Sequence, residues 1–178
     1  MFKDIDIFAP LVRMESLGFG ALIPENTVRR MIDVINISAK NIRVRNFAAE
    51  LVKHTRQKDQ WSEADAIFHW IQDHSRYVRD PQGTEMIQTP LVALDYFNRG
   101  LVWQGDCDDY TVLLLSLYKS IGYPVAIRTA SYYQHKRPGH VYGLMRIYDN
   151  WYPVDGIKQG AWVGWEKEGA TYVKDYKI

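Results

Sequence analysis

The apolar run from Thr111 to Ile121 is the feature that most constrains the fold. It has few helix-breaking residues, and it ends at Gly122 and Pro124. A run of this length with a Gly-x-Pro stop predicts a buried helix rather than a strand. The acidic block directly before it, residues 105–110, contains the only cysteine of the sequence, Cys107. The chain therefore places one thiol at or near the N-terminus of a core helix.

The single cysteine has two interpretations. At a helix start, free backbone N–H groups and the helix macrodipole favour a thiolate over a thiol, as a nucleophile requires. Free cysteine is also among the most buried residue types, so that Cys107 could instead be a small hydrophobic residue of the core. Its position alone leaves both interpretations open.

The sequence after this helix has a strand-like pattern. Residues 123–133 are rich in β-branched and aromatic types, a second predicted strand follows His140, and a third ends at Asp155. In a catalytic set with the chain order cysteine, histidine, aspartate, the thiolate attacks, the imidazole carries the proton and the carboxylate orients the imidazole. The residue types and their order favour the nucleophilic interpretation of the cysteine.

Three blocks carry a resemblance to the transglutaminase-like superfamily: residues 105–110 with the helix after them, residues 140–142 and residues 151–155. Members of that superfamily have a papain-like α+β fold and a Cys-His-Asp triad. The resemblance implies Cys107 as nucleophile, His140 as base and acid, and Asp155 as orienting carboxylate. Residues 71–81 and 87–90 also resemble small transglutaminase-like proteins encoded by tailed phages and prophages.

The expected fold class is α+β, with N-terminal helices and the nucleophile helix packed on an antiparallel β-sheet. A chain of 178 residues with 47% hydrophobic content can bury one sizeable core, so that a single domain, 1–178, is expected. Within it we expect an N-terminal arm and helix (1–40), a catalytic core (41–157) and a C-terminal extension (158–178). Further predicted elements are an irregular arm up to Ile23 and helices at Asn26–Ile37, from a Ser38 cap to about Thr55, from a Ser62 cap, and at Pro90–Asn98.

The distance between His140 and Asp155 is a difficulty. A two-residue turn at Asp149–Asn150 would place Asp155 opposite Leu144, four residues from His140, or about 13 Å along a strand. We therefore expect a bulge, a strong twist or a longer loop to shift the register, and Pro153 is a natural position for it. Asp149 is an alternative carboxylate, although it lies at the turn.

The acidic neighbours of Cys107 should raise the pKa of its thiol, and we expect Asp106 or Asp108 to cap the helix instead. The block does not follow the calcium-loop pattern, so that we expect no metal, and no cofactor is expected either. The remaining alternatives concern His135, which competes with His140 as the base but lies in a polar loop, and the oxyanion donor. Candidates for that donor are the backbone N–H of Cys107 and the side chains of Gln104 and Tyr77.

The leading functional hypothesis is a cysteine peptidase or amidase that forms a thioester with a peptide or side-chain amide. The alternatives are a protein-glutamine acyltransferase, and a non-catalytic phage structural or interaction protein. A peptide or protein substrate and a possible virion partner are expected. The net charge of +1 gives no electrostatic case for nucleic acid or a membrane surface. One cysteine and no apparent signal peptide suggest the cytoplasm, or a host cytoplasm or virion if the protein is phage-encoded.

Overall fold

The computed structural model describes residues 11–14, 25–81, 85–134 and 138–178. These ranges contain five helices: α1 (Glu25–Ser38), α2 (Ile42–Val52), α3 (Gln60–Asp73), α4 (Pro90–Asn98) and α5 (Cys107–Ser120). They also contain eight strands: β1 (Leu11–Met14), β2 (Ser75–Tyr77), β3 (Glu85–Gln88), β4 (Trp103–Gly105), β5 (Val125–Ser131), β6 (His140–Ile147), β7 (Asn150–Val154) and β8 (Tyr172–Lys177). Within these ranges, no helix combines the length and the apolar character needed to cross a membrane.

Helix α5 is the centre of the core. Every residue from Asp108 to Tyr118 is buried. This burial explains why the sequence from Thr111 to Tyr118 is almost entirely apolar. The other four helices pack against it, and strands β5 and β6 cover it from the opposite direction. The prediction of a buried helix is confirmed, and the helix begins at Cys107 itself.

The main sheet has four antiparallel strands in the order β7-β6-β5-β8. Alternate residues of β5, namely Val125 and Ile127, face the α5 core, whereas Ala126 and Ala130 face the other side. Two small sheets lie outside it: β1 pairs with β3, and β2 pairs with β4 in parallel. The helices and the antiparallel sheet form the α+β fold expected from the sequence.

Several local expectations were wrong. Ser38 does not cap α2 but ends α1, and the cap of α2 is Asn41, whose side chain accepts from the Arg43 N–H. Ser62 lies inside α3, because Asp59 caps that helix and accepts both the N–H and the hydroxyl of Ser62. Because the Asp59 carboxylate accepts the Ser62 N–H, a free amide of the first turn has its partner and the helix cap lies three residues before Ser62.

The predicted irregular arm contains a short strand. Residues Leu11–Met14 pair with Glu85–Gln88 in the antiparallel β1–β3 sheet. The rest of the arm up to Ile23 lies outside the described residues. The helix predicted after it agrees with α1 to within one residue at each end.

Helix α5 approaches the sheet closely at Gly143 of β6. A Cβ there would lie 2.6 Å from Cδ2 of Leu115 and 2.8 Å from Cγ2 of Val154, closer than packed atoms allow. We expect Gly143→Ala to lower the free energy of unfolding by about 1–3 kcal/mol, because an added methyl forces the helix and sheet apart. Urea unfolding measures this change.

A double variant provides the control for this prediction. Leu115→Ala alone should also destabilise the protein, because it leaves a cavity. In Gly143→Ala/Leu115→Ala the new methyl occupies part of that cavity, so that the combined loss should be smaller than the sum of the two single losses. Strictly additive losses would contradict the close approach.

Candidate active site

The start of α5 is a capping box built from the acidic block. Asp106 is the N-cap residue, and its carboxylate accepts the Asp108 N–H at 3.3 Å. The Asp109 carboxylate accepts the Asp106 N–H in return, also at 3.3 Å. Cys107 is therefore the first residue of the helix, where it is partly exposed. The prediction that Asp106 or Asp108 caps this helix is confirmed for Asp106.

Gln88 of β3 forms hydrogen bonds with both the start of α5 and strand β4, and so links the helix to the two small sheets. Its backbone N–H and side-chain amide donate to the two Asp109 carboxylate oxygens at 2.6 and 2.7 Å. The same amide donates to the Gln104 carbonyl at 2.9 Å, and its oxygen accepts the indole N–H of Trp103 at 2.9 Å. Burial, with a contribution from the charge of Asp106, raises the pKa of Asp109 to about 7 even though the Gln88 donors lower it. No role for Gln88 follows from the sequence, in which its only signal is the resemblance of residues 87–90.

The first turn of α5 also contacts strand β6 directly after His140. The Val141 backbone N–H lies close enough to the Cys107 sulfur to lower the pKa of its thiol. The Val141 carbonyl accepts the Thr111 hydroxyl at 3.3 Å, and that hydroxyl also bonds the Cys107 carbonyl at 2.6 Å. Because the backbone N–H and carbonyl of Val141 both face the start of α5, the thiol lies beside the strand that carries His140.

The surroundings of the thiol favour its neutral form. Burial raises the pKa of Cys107 well above its usual range, and Asp106 and Asp108 raise it further. The Val141 N–H acts in the opposite direction, because it stabilises the thiolate. Cys107 is therefore a thiol at neutral pH unless a base takes its proton.

His140 and Asp155 form a direct hydrogen bond. The distance from His140 Nε2 to the nearer Asp155 oxygen is 2.7 Å, and only 14% and 5% of the two side chains are exposed. The other Asp155 oxygen accepts the Ile157 N–H at 3.4 Å. With Nε2 donating to Asp155, the remaining ring nitrogen, Nδ1, is free to accept a proton.

The predicted bulge at Pro153 is wrong, because the register is set at the turn. The turn lies at Tyr148–Asp149, one residue earlier than expected, and β6 and β7 pair regularly from Ile147↔Asn150 to Gly143↔Val154. Pro153 pairs with Leu144 on this edge strand, where a missing N–H removes no ladder bond to a further strand. The next position, Asp155, then falls two residues from His140 rather than four, within reach of its side chain.

The two side-chain candidates for the oxyanion donor are in different positions. Tyr77 pairs with Gly105 in the parallel β2–β4 sheet, and it is close enough to Cys107 for a thiolate there to raise the pKa of its hydroxyl, although burial is the larger cause. Gln104 lies on the exposed side of β4, between two buried residues, and its carbonyl binds the Gln88 amide.

Comparison with known proteins decides the family. The family model described as the transglutaminase-like superfamily matches residues 45–156. The chain belongs to this superfamily. A comparison with curated proteins gives no match.

Two solved structures resemble the chain. One is described as a candidate cysteine protease from Cytophaga hutchinsonii, with a TM-score of 0.50 and 12% identity over 89% of this chain and 60% of that protein. The other is described as a TGase, with a TM-score of 0.41 and 9% identity over 78% of this chain and 34% of that one. The chain thus spans less than two thirds of either protein, and the first similarity speaks for the fold alone.

Two candidates from the sequence remain, the alternative base His135 and the alternative carboxylate Asp149. His135 lies outside the described residues. Asp149, the alternative carboxylate, lies in the turn at the opposite end of β6 from His140, so that the structure does not bring these two residues together. Asp155 is the carboxylate that contacts the imidazole.

The acidic block has a structural use. Ligand oxygens of Asp106, Asp108 and Asp109 lie within 4.8 Å of one another. Asp106 accepts the Asp108 N–H, Asp108 accepts the Asp109 N–H at 2.9 Å, and Asp109 accepts donors from Gln88. The bonds from the Asp108 and Asp109 N–H groups satisfy helix-start amides, as expected from the sequence for at least one of the carboxylates.

Proposed function

We propose that the protein is a cysteine hydrolase, a peptidase or amidase, with Cys107 as nucleophile, His140 as base and acid, and Asp155 as orienting carboxylate. One observation supports this assignment most strongly. His140, joined to Asp155 at 2.7 Å, begins strand β6, and the backbone N–H of the next residue, Val141, lies beside the Cys107 sulfur. Membership of the transglutaminase-like superfamily supports a cysteine-based catalytic fold.

In the proposed acylation step, His140 takes the thiol proton on Nδ1 while the Cys107 sulfur attacks the amide carbonyl carbon. Because the pKa of the thiol is raised, proton transfer and attack are expected to be coupled rather than to start from a stored thiolate. The imidazolium then gives this proton to the leaving amine, the C–N bond breaks, and a thioester with Cys107 remains.

In the proposed deacylation step, His140 takes a proton from water, whose oxygen attacks the thioester. The C–S bond breaks, the carboxylic acid leaves, and the imidazolium returns the proton to sulfur. Asp155 stabilises the imidazolium in both steps and holds the ring through Nε2.

The developing oxyanion needs donors, and two are proposed. The backbone N–H of Cys107 belongs to the first turn of α5, where amides are free of helix partners. The Tyr77 hydroxyl lies near Cys107, and its raised pKa keeps it protonated and able to donate. Gln104 is the alternative side-chain donor, although its position on the exposed side of β4 favours it less.

The alternative activity is acyl transfer, in which a lysine amine rather than water resolves the same thioester. The superfamily to which the chain belongs allows it, and the similar fold of a protein described as a candidate cysteine protease is consistent with hydrolysis. Incubation with a glutamine-containing protein and a fluorescent primary amine separates the two. Incorporation of the amine into protein supports transfer, and release of ammonia or new termini without incorporation supports hydrolysis.

The setting is part of the proposal. A peptide or protein is the proposed substrate, and the resemblance to phage and prophage proteins favours a host cytoplasm or a virion, with a virion protein as partner. Nucleic acid and membranes are not proposed partners. The alternative is a non-catalytic structural role on the same fold. An unreactive Cys107 thiol in the alkylation experiment below would support that alternative.

The proposed base predicts the reactivity of the thiol. We expect His140→Ala to slow alkylation of Cys107 by iodoacetamide at pH 7 by about tenfold or more, because no other group is proposed to take the thiol proton. Its rate should rise steeply with pH above 7, as hydroxide forms the thiolate in place of the base. Mass spectrometry of the alkylated protein over time gives both rates.

His69→Ala is the matched control, since His69 is an exposed histidine of α3. It should alkylate at the wild-type rate. Equal rates for wild type and His140→Ala would refute the catalytic assignment, provided that both melt at similar temperatures.

A further inference from the structure

The sheet face opposite α5 carries a second, smaller core. Ala126, Ala130, Tyr142 and Leu144 are buried there, and Tyr132 packs against them. A segment after β7 reaches this face. The Tyr132 hydroxyl donates to the carbonyl of Lys167, whose ammonium lies 4.2 Å from the Tyr132 ring centroid.

Tyr142 links this second core to the His140 imidazole. The two rings are stacked, with centroids 5.3 Å apart and an interplanar angle of 27°. The Tyr142 ring is almost fully buried, and its hydroxyl donates to the Glu166 carboxylate. The position of the ring that covers the imidazole is thus tied to a residue outside the sheet.

Glu166 is itself held by Arg128. One guanidinium nitrogen donates to the same Glu166 oxygen at 2.9 Å, while two others donate to Asp175 of β8 at 2.6 and 2.7 Å. Both carboxylates raise the pKa of Arg128, so that the charge is permanent. Glu166 and Asp175 both lie beyond residues 45–156, the part that the family model matches.

We propose that Glu166 is a positioning residue, which fixes the Tyr142 ring and through it the orientation of the His140 imidazole. The inference rests on the proposed function. The Asp155 bond restrains one edge of the imidazole but leaves it free to turn about that bond. A stacked ring with an anchored hydroxyl restricts this motion and so fixes the direction in which Nδ1 points.

The test uses iodoacetamide alkylation of Cys107 at pH 7 in two backgrounds. In the otherwise wild-type protein, Glu166→Ala should slow alkylation by about tenfold, as expected for a misdirected base. In the His140→Ala background the same change should have no further effect, because no imidazole remains to be oriented. A general loosening of the fold would change the rate in both backgrounds.

Three further variants complete the design. Glu168→Ala, which removes an exposed glutamate two residues away, should behave as wild type. Glu166→Gln retains an acceptor for the Tyr142 hydroxyl and should recover most of the rate. Tyr142→Phe keeps the ring but removes the hydroxyl, so that it should slow alkylation and make Glu166→Ala nearly silent when the two are combined. If Glu166→Ala does not fold, Glu166→Gln and Tyr142→Phe in the two backgrounds decide the matter.

The outcomes separate this inference from the proposed function. If His140→Ala slows alkylation but Glu166→Ala does not, the positioning role is refuted and the catalytic assignment stands. The positioning role is also refuted if Glu166→Ala slows alkylation equally in both backgrounds. If His140→Ala itself has no effect, the catalytic assignment fails and the positioning role fails with it.

Discussion

Asp155→Asn is expected to slow acylation of Cys107 by about 10²–10³-fold, measured as the rate of p-nitrophenol release from p-nitrophenyl acetate. The effect of an equivalent change in a Ser-His-Asp triad, about 10⁴-fold, sets the scale. Asp155 is only 5% exposed, so that water cannot easily replace it as the acceptor for His140. This chromogenic ester supplies the acyl group, because the natural substrate is not required to test the triad.

The physical reason for this loss lies in the two ring nitrogens of His140. The Asp155 carboxylate only accepts, so it selects the tautomer with the proton on Nε2 and the free pair on Nδ1. An asparagine can direct its NH₂ group at Nε2, which moves the ring proton to Nδ1 and blocks it as a base. The carboxylate also stabilises the imidazolium, and the amide does not.

Asp149→Asn is the matched control, because it removes the alternative carboxylate at the hairpin turn. It should acylate at the wild-type rate. A large loss in Asp149→Asn with little loss in Asp155→Asn would reverse the assignment. The ¹⁵N shifts of the His140 ring provide a second measurement, since they should report a change of tautomer in Asp155→Asn only.

The second large effect is expected for stability. Gln88→Leu should lower the free energy of unfolding by about 3 kcal/mol at pH 8, because it leaves the buried Trp103 N–H without its acceptor and removes the amide donor to the Asp109 carboxylate. Urea unfolding at pH 8 and pH 5 measures the loss. Gln159→Leu is the control, because its amide makes a longer bond, 3.3 Å, to the Gln72 carbonyl.

The pH dependence of this loss follows from Asp109. Its pKa in the folded protein is raised to about 7, above the ordinary value of 3.8, so that the folded state binds a proton that the unfolded state has released between these values. Stability attributable to this group therefore falls as pH rises from about 4 to 7. Without the Gln88 amide, the pKa of Asp109 rises further, and the loss should be greater at pH 8 than at pH 5. Equal losses at both pH values would exclude Asp109 as the cause.

Features determined by nearby residues could be predicted from the sequence. The buried helix and its start at Cys107 follow from an apolar run and an acidic cap that lie side by side in the chain. Strands β5 and β6 were predicted because each has a run of β-branched and aromatic residues. In these segments the local preference and the tertiary packing agree.

Features determined by distant contacts could not be predicted. Tyr77 was a candidate oxyanion donor from the sequence, but the pairing of β2 with β4, three residues each, that brings it near Cys107 was not predicted. Gln88 likewise joins three elements through bonds that span 15 to 21 residues. Strands this short carry little periodicity, because two or three side chains cannot define a face.

The hairpin between β6 and β7 shows how a sound local rule can fail. Positive φ angles in a two-residue turn favour Asn and Asp, which indicates Asp149–Asn150. In the structure Tyr148 takes a φ of 51°, and its backbone N–H donates to the side chain of Gln60 in α3. This tertiary bond favours the earlier turn, and the shift of one residue brings Asp155 within reach of His140.

The pairing of β8 with β5 has a consequence for synthesis of the protein. A ribosome makes Cys107, His140 and Asp155 before it makes Glu166 and the strand Tyr172–Lys177. The carboxylates that hold Arg128 are therefore absent while the nascent chain already contains the three residues of the proposed triad. If Glu166 has the proposed role, the His140 imidazole is oriented only after Glu166 has been made and has reached Tyr142 and Arg128. The order of translation would then delay the assembly of the proposed base until the chain beyond residue 166 has been made.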